Sequence, residues 1–188
     1  MDFRSEFADA LDEVPDAFMD GDRFVPATGR LDADVVLVGE APGANEVEQG
    51  EPFVGRAGEQ LDRILEDAGI DRDEIYITNL VKVRPPDNRD PHRDEIEAWR
   101  PVLEAEIARV DPETVVPLGN FASRELLDTT KGISQIHGRQ YTVDGRTIMP
   151  TYHPAATLYD RDKTSDLVHD LLAAFGETPG GQTSLQDL

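Results

Sequence analysis

The sequence predicts an α/β protein, a three-layer α/β/α domain built around a central, mostly parallel sheet. Short apolar, β-branched runs alternate along the chain with longer segments whose apolar residues recur every three or four positions. Those short runs are continuously apolar, which is typical of strands that are covered on both faces. Strands that alternate with helices in this way favour a parallel sheet between two helical layers.

The first half of the chain supplies two strands and two helices in regular order. DVVLV at 34–38 predicts a strand, and helical spacing over 61–68 predicts a helix that stops at Gly69. EIYIT at 74–78 predicts the second strand. One apolar face over 96–110 then predicts a long amphipathic helix.

The second half continues the same alternation. A third strand is predicted at 114–118 and a short helix over 120–127. Residues 141–149 carry a central Asp-Gly pair, a strong signal for a β-hairpin. A final amphipathic helix is predicted over 167–175, so that one domain spanning 1–176 accounts for every element.

Composition excludes several classes of protein. A chain of 188 residues with 38% hydrophobic residues fits one globular domain, and a monomer is expected. No apolar stretch is long enough to cross a membrane, and the acidic N-terminus does not resemble a signal peptide, so we expect a cytoplasmic location. The sequence has no cysteine, and its histidines show no metal-ligand spacing, so no metal and no cofactor are predicted.

The charge balance is strongly acidic, with 18 Lys plus Arg against 39 Asp plus Glu and a net charge of −21. Proteins that bind nucleic acids usually show a basic surface instead. In molar salt, however, the Debye length falls to about 3 Å, so self-repulsion costs little and hydrated carboxylates keep a protein in solution. Abundant aspartate and scarce lysine favour such a halophilic protein, and the net charge therefore does not exclude DNA as a substrate.

Three irregular loops hold the residues most typical of a binding site. They follow predicted strands at 39–58, 79–91 and 153–161, and ligands of parallel sheets bind at the carboxyl ends of strands. Long irregular loops in compact domains are usually functional, although the glycines and prolines of the first loop would also suit a plain connection. Neither GxGxxG nor GxxxxGK[ST] occurs, which disfavours a small-molecule nucleotide-binding protein.

Three single residues in these loops have both a functional and a structural interpretation. Phe53 lies in a Pro-Phe-Val segment. It either belongs to a small apolar cluster that anchors the loop or forms a platform on which a planar ligand stacks. Asn79 both donates and accepts hydrogen bonds, but it would equally start an Asx turn. His153 precedes a proline, and a lone histidine is more often structural than catalytic.

Four ordered blocks together resemble the uracil-DNA glycosylase superfamily, most closely its family 4 from archaea and thermophilic bacteria. They are GEAPGANEVEQGEPFVGRAGEQL, YITNLVKVRPPDNRDP, VVPLG and TYHPA, between about Asp34 and Leu158. The resemblance implies an enzyme that flips uracil out of DNA and hydrolyses its N-glycosidic bond, leaving an abasic site. A catalytically silent relative that binds DNA or a damaged base is the alternative.

The resemblance implies catalytic roles for Glu40, Asn79 and His153. Asn79 would pair with the uracil edge, donating to O4 and accepting from N3–H, and it would reject cytosine because that base reverses the pattern. His153 would donate to O2, where negative charge develops as the base departs. Glu40 would position the attacking water, and Phe53 would be the surface on which the flipped base stacks.

Further positions of the first loop resemble the pocket-forming segment of the family. Ala41 and Gly43 would shape the pocket, and Glu46 would crowd C5 of the base and so reject thymine. Related families carry an aspartate base where this chain has Ala41, so catalysis here would depend more on stabilising the anion. The DNA-binding residues that the resemblance implies, or that lie in the flanking loops, are Lys82, Arg84, Arg89, Leu158 and Arg161. Leu158 corresponds in position to the wedge that fills the vacated stack, although it would also suit the core at a helix start.

The largest departure from the family concerns its cofactor. Family 4 enzymes hold a [4Fe–4S] cluster through four cysteines, and this chain has none. Val83 and Trp99 stand where two of those ligands would fall, and the other two would lie within Pro15–Arg23, which contains Phe18 and Met19. Apolar packing is therefore expected to replace the cluster.

Residues 177–188 are polar and glycine-rich and predict a flexible tail. Gln182, Leu185 and Leu188 resemble a peptide that binds a sliding clamp, although the usual aromatic pair is missing. A polar tail with two chance leucines is the alternative. Attachment to a clamp would raise the effective concentration of a repair enzyme on newly copied DNA.

Overall fold

A five-stranded sheet forms the centre of the protein in a computed structural model, which describes residues 1–176. Its strands are β1 Val35–Gly39, β2 Tyr76–Asn79, β3 Thr114–Pro117, β4 Tyr141–Val143 and β5 Arg146–Ile148. They lie in the order β2-β1-β3-β5-β4, and only the β4–β5 hairpin is antiparallel. The predicted mostly parallel sheet is confirmed.

Helices precede, connect and follow the strands. They are α1 Phe3–Glu6, α2 Ala8–Asp12, α3 Ala44–Gln49, α4 Arg56–Ala68, α5 Arg93–Val110, α6 Gly119–Leu127, α7 Ile133–Ile136 and α8 Asp162–Ala174. Short 3₁₀ turns occur at Asp16–Phe18, Arg72–Glu74, Pro86–Asn88 and Pro154–Leu158. The predicted helices correspond to α4, α5, α6 and α8. Within residues 1–176 no helix is both long and apolar enough to span a lipid bilayer.

The two faces of the sheet are covered by different helices, as β1 illustrates. Successive side chains of a strand point to opposite faces. Val36 and Val38 belong to a core that α1, α2, α5 and α6 complete, whereas Val35 and Leu37 belong to a core with α4 and α8. The three-layer arrangement predicted from the sequence is therefore confirmed.

The segment that precedes β1 is hydrogen-bonded to the loop that follows β2. Phe24 and Val83 form an antiparallel bridge, and the Val25 amide donates to the carbonyl of Lys82 at 2.8 Å. The ring of Phe24 also lies 6.0 Å from that of Trp99 on α5. This segment therefore packs against the same layer as α5.

Candidate active site

The three residues with predicted catalytic roles come together at the carboxyl edge of the sheet. Glu40 directly follows β1, and Asn79 is the last residue of β2. His153 follows Thr151, which forms a parallel bridge with Leu118 at the end of β3. Parallel topology thus brings residues that are more than a hundred positions apart in sequence to one edge of the sheet.

Gly39 is the point at which Asn79 and Phe53 meet. A Cβ atom on Gly39 would lie 2.2 Å from Oδ1 of Asn79 and 2.6 Å from Cζ of Phe53. Both side chains are buried, with exposed fractions of 4% for Asn79 and 6% for Phe53. Only a glycine at this position allows the amide and the aromatic ring to approach each other so closely.

Phe53 occupies a strained backbone conformation that its neighbours hold in place. Its φ of 54° lies in the left-handed region, which costs a non-glycine residue about 1–3 kcal/mol. The Arg72 guanidinium donates to the carbonyls of Pro52 and Phe53 at 2.9 and 3.1 Å. A Cβ on Gly58 would come within 1.8 Å of the Phe53 carbonyl oxygen, so the start of α4 must approach without a side chain. These contacts fix the ring before any ligand arrives.

His153 presents a neutral imidazole to the site. Its ring centroid lies 5.7 Å from that of Phe53, and its Nδ1 accepts from the backbone N–H of Ala155 at 3.2 Å. Burial lowers the pKa of His153 to about 4, against a smaller opposing effect from Glu46. Because Nδ1 is an acceptor, the neutral ring carries its proton on Nε2 and offers a hydrogen-bond donor there.

A cavity of about 500 Å³ lies beside these residues, and both Glu40 and His153 line it. Burial raises the pKa of Glu40 to about 7, and the neighbouring Asp90 carboxylate adds to the shift. Asn79 and Phe53 do not line the cavity, but they meet at Gly39, which directly precedes Glu40. The other lining residues are Asp90, Leu118, Gly119, Asn120, Phe121, Arg124 and Glu125.

The residues of α6 that line the cavity were not predicted as site residues from the sequence. The signal was available, because the turn after β3 is a fourth carboxyl end of the same sheet. A Cβ on Gly119, which has a φ of 87°, would lie 2.9 Å from Cβ of His153. The β3–α6 turn therefore packs directly against the histidine.

Glu46 serves chiefly to hold the first loop together. From α3, a helix inside the loop that the sequence did not predict, its carboxylate accepts from the amides of Gly43, Val54 and Gly55 at 3.1, 3.1 and 2.8 Å. The half-buried Ala41 packs against the core that contains α5. The role of Glu46 in rejecting thymine stays a prediction, and both of its oxygens are already engaged with the loop.

The side chain of Lys82 is buried and not available to DNA, and the prediction that it is a DNA-binding residue is wrong. Its side chain is only 1% exposed, and its Nζ lies 2.6 Å from Oε2 of the fully buried Glu106. The same Nζ donates to the main-chain carbonyl of Asn79 at 2.6 Å. A lysine in a polar loop ordinarily faces solvent. Here the side chain is buried because it pairs with the carboxylate of Glu106 on α5.

The other DNA-contact candidates lie nearer the surface. Arg84 donates to Asn88 at 3.1 Å, and Arg89 pairs with both oxygens of Glu95 at 2.6 and 3.0 Å. Arg161 is exposed at the start of α8. Leu158 is half-buried, whereas the next residue, Tyr159, is 85% exposed. Of these two, Tyr159 has the side chain that is free to reach a DNA duplex.

The region where the resembled family binds an iron–sulfur cluster does not fit that group. Phe18, Val83 and Trp99 line a void of only about 50 Å³, and Trp99 is 1% exposed. The chain has no thiolate to offer. Within residues 1–176 no three His, Cys, Asp or Glu side chains are grouped as they would be around a metal ion. Aromatic and aliphatic side chains fill the space instead.

The fold and the site define an α/β protein with a polar pocket at the carboxyl ends of a parallel sheet. A model of the uracil DNA glycosylase superfamily matches residues 26–176, and the chain belongs to this family.

The chain is similar to several type-4 uracil-DNA glycosylases from archaea. It is 39% identical over 155 residues to the type-4 uracil-DNA glycosylase of Sulfurisphaera tokodaii, covering 78% of this chain and 70% of the relative. The type-4 uracil-DNA glycosylase of Pyrobaculum aerophilum is 38% identical over 81% of this chain and 82% of its own length. That of Archaeoglobus fulgidus is 41% identical, covering 72% of each chain.

The predicted clamp-binding residues Gln182, Leu185 and Leu188 lie outside the residues that the structure describes.

Proposed function

We propose that this protein excises uracil from DNA by hydrolysing the bond between N1 of the base and C1′ of deoxyribose. The observation that carries the proposal is the convergence of the buried Asn79 amide and the Phe53 ring over Gly39, beside a neutral His153. Membership of the superfamily and the names of its relatives support the same activity.

Recognition would take place on a base that has left the duplex, because its reactive atoms are inaccessible within the stack. Phe53 supplies an apolar face against which a planar ring stacks. Asn79 supplies one donor and one acceptor, which match O4 and N3–H of uracil and oppose the pattern of cytosine. A mispaired polar group in a buried site costs about 1–3 kcal/mol, which is the physical basis of the discrimination.

Catalysis would rest on stabilising the departing base. As the N1–C1′ bond breaks, its electron pair moves onto the base, and the Nε2–H of His153 donates to O2 where that charge accumulates. Glu40 in its ionised form accepts a hydrogen bond from water and directs the water oxygen to C1′. The new C1′–O bond completes an abasic site, and the water proton is released as the base takes up one at N1.

A catalytically silent relative has no support. The relatives from Sulfurisphaera tokodaii, Archaeoglobus fulgidus and Pyrobaculum aerophilum are named as glycosylases. The chain also keeps Glu40, Phe53, Asn79 and His153, the four residues on which the proposed chemistry depends. The raised pKa of Glu40, in a carboxylate that lines the cavity, is typical of a catalytic group.

Contact with DNA would depend on a few arginines and not on net charge. Arg84, Arg89 and Arg161 are candidates for phosphate contacts, and Leu158 or the more exposed Tyr159 would fill the vacated stack. We also propose that the protein works in molar salt and without an iron–sulfur cluster. Metal analysis of the purified protein tests the second point, and stoichiometric iron would overturn it.

The tail supports a separate proposal of clamp binding through Gln182, Leu185 and Leu188. Calorimetric titration of the cognate sliding clamp with the full chain and with a chain that ends at Gly181 tests it. We expect binding by the full chain alone, and equal binding by both or by neither would refute the proposal.

The experiment that tests the main proposal is single-turnover excision from a uracil-containing oligonucleotide in molar KCl. Asn79→Ala should lower the rate at least about 10²-fold, the size of a lost electrostatic donor. Asn45→Ala removes an exposed amide on α3 that does not line the cavity and should leave the rate unchanged. No release of uracil by the wild-type protein, or a wild-type rate in folded Asn79→Ala, would contradict the proposal.

A further inference from the structure

A buried ion pair that the proposed chemistry does not use lies behind Asn79. Lys82 and Glu106 are 1% and 0% exposed, and Nζ lies 2.6 Å from Oε2. Glu106 also accepts hydrogen bonds from the hydroxyl groups of Thr78 at 2.9 Å and Tyr76 at 3.2 Å. Nζ of Lys82 also donates to the main-chain carbonyl of Asn79 at 2.6 Å.

The network and the pocket lie on opposite faces of β2. Tyr76 and Thr78 point towards Glu106 on α5, whereas the side chain of Asn79 points towards Gly39 on the other face. Lys82 therefore holds the backbone of Asn79 from one face of β2, while the amide of Asn79 lies beside Gly39 and Phe53 on the other.

Stability alone does not explain why charges occupy this position. Burying two charges carries a large desolvation cost, and a well-packed apolar pair of the same volume is often as stable or more so. Desolvation lowers the pKa of Lys82 and raises the pKa of Glu106, so burial works against both charged forms. What an apolar pair would not supply is an N–H donor to the carbonyl of Asn79, at the point where β2 ends.

We infer that Lys82 is a positioning residue for base recognition. Its Nζ fixes the carbonyl of Asn79, and through it the direction of the amide, while Glu106 holds Nζ in place. The inference rests on the proposed function, because it assigns Asn79 the task of recognising uracil. It also explains why a lysine in this loop is buried in a chain with so few lysines.

Two variants separate the donor from the charge. Glu106→Gln removes the carboxylate but leaves a lysine that still donates an N–H to Asn79, whether or not it keeps its proton. Lys82→Met combined with Glu106→Gln removes the donor as well and leaves no unpaired charge. If methionine prevents folding, Lys82→Gln with Glu106→Gln serves instead, because a glutamine side chain is polar but too short to reach the carbonyl.

Single-turnover excision at saturating DNA gives the decisive comparison. The double variant should be at least about tenfold slower than Glu106→Gln, since a misplacement of about 1 Å can cost up to 10²-fold. Its affinity for DNA should be unchanged. In an Asn79→Ala background the same change at Lys82 should have no further effect, because the residue to be positioned is missing.

Three results would overturn the inference. An equal loss in both backgrounds would make Lys82 a general structural residue, and no loss in either would leave it without influence on Asn79. A loss of DNA affinity with a smaller salt dependence would make it a phosphate contact.

Failure of the proposed function is recognised separately, because the wild-type protein would then release no uracil. Hydrogen exchange still tests the positioning in that case. The amide of Leu80, which donates to Gly39 at 2.9 Å, should exchange about tenfold faster in the double variant than in Glu106→Gln, as expected when a local opening becomes easier. Equal exchange rates would refute the inference.

Discussion

The raised pKa of Glu40 predicts how excision depends on pH. If the ionised carboxylate orients the attacking water, the rate follows the ionised fraction of a group whose pKa is about 7. That fraction rises from about one eleventh at pH 6 to about ten elevenths at pH 8, so the single-turnover rate should increase about tenfold. His153, with a pKa of about 4, stays neutral over this pH range and adds no second inflection to the pH–rate profile.

Asp90→Asn tests the physical cause of this shift. Removing the neighbouring negative charge should lower the pKa of Glu40 and move the midpoint of the profile to lower pH, so that the variant is faster than wild type at pH 6. Burial is the larger cause, so the midpoint should remain above the ordinary value of 4.5. The movement should be smaller in molar KCl than in 0.1 M KCl, because the Debye length falls from about 10 to about 3 Å.

Glu125→Gln provides the matched control for Asp90→Asn. Glu125 lines the same cavity, but it contributes nothing to the pKa shift of Glu40, so its removal should leave the profile in place. Excision rates measured from pH 5 to 9 on one oligonucleotide would decide. A wild-type rate that is flat between pH 6 and 8, or an equal shift in both variants, would refute the assignment of Glu40.

Two further predictions concern packing. Gly39→Ala should lower excision at least about 10²-fold, because the added Cβ would lie 2.2 Å from Oδ1 of Asn79. Gly21→Ala, with open space around its Cβ, should retain the wild-type rate, and equal rates in the two variants would show that Gly39 is not critical. Trp99→Ala should lower the free energy of unfolding by about 3–5 kcal/mol in a denaturant titration, as for other large core truncations. Arg100→Ala, next to it on α5 and exposed, is the control, and a similar small loss in both would contradict the packing account.

The fold was largely predictable because its signals are long or strongly patterned. The continuous apolar run of β1 and the apolar faces of α4, α5 and α8 each extend over enough residues to reveal their periodicity. Helices α1, α2, α3 and α7 span only four to six residues, which is too short for a 3.6-residue period to emerge. Tertiary contacts such as those of Glu46 in the first loop decide them instead.

The site was predictable where the topology determined it and unpredictable where a single distant partner did. Glu40, Asn79 and His153 each lie at or after the carboxyl end of a strand, so the parallel sheet brought them together. The burial of Lys82 depends on Glu106, which is 24 positions away in the sequence. A signal did exist, because Glu106 lies seven residues after Trp99 and three after Leu103, on the apolar face of α5. A carboxylate on that face requires a buried partner.

Two separate sets of hydrogen bonds hold the loop that carries Phe53 in place. The stretch between them, at the end of α3, does not line the cavity. Glu46 accepts hydrogen bonds from the amides of Gly43 and Gly55, and Arg72 donates to the carbonyls of Pro52 and Phe53. Gln49, between these anchors, is exposed. In a chain without cysteine, Gln49→Cys would create a unique thiol. A dye attached there would test whether this loop contacts DNA, because the label replaces none of the residues that hold the loop in place.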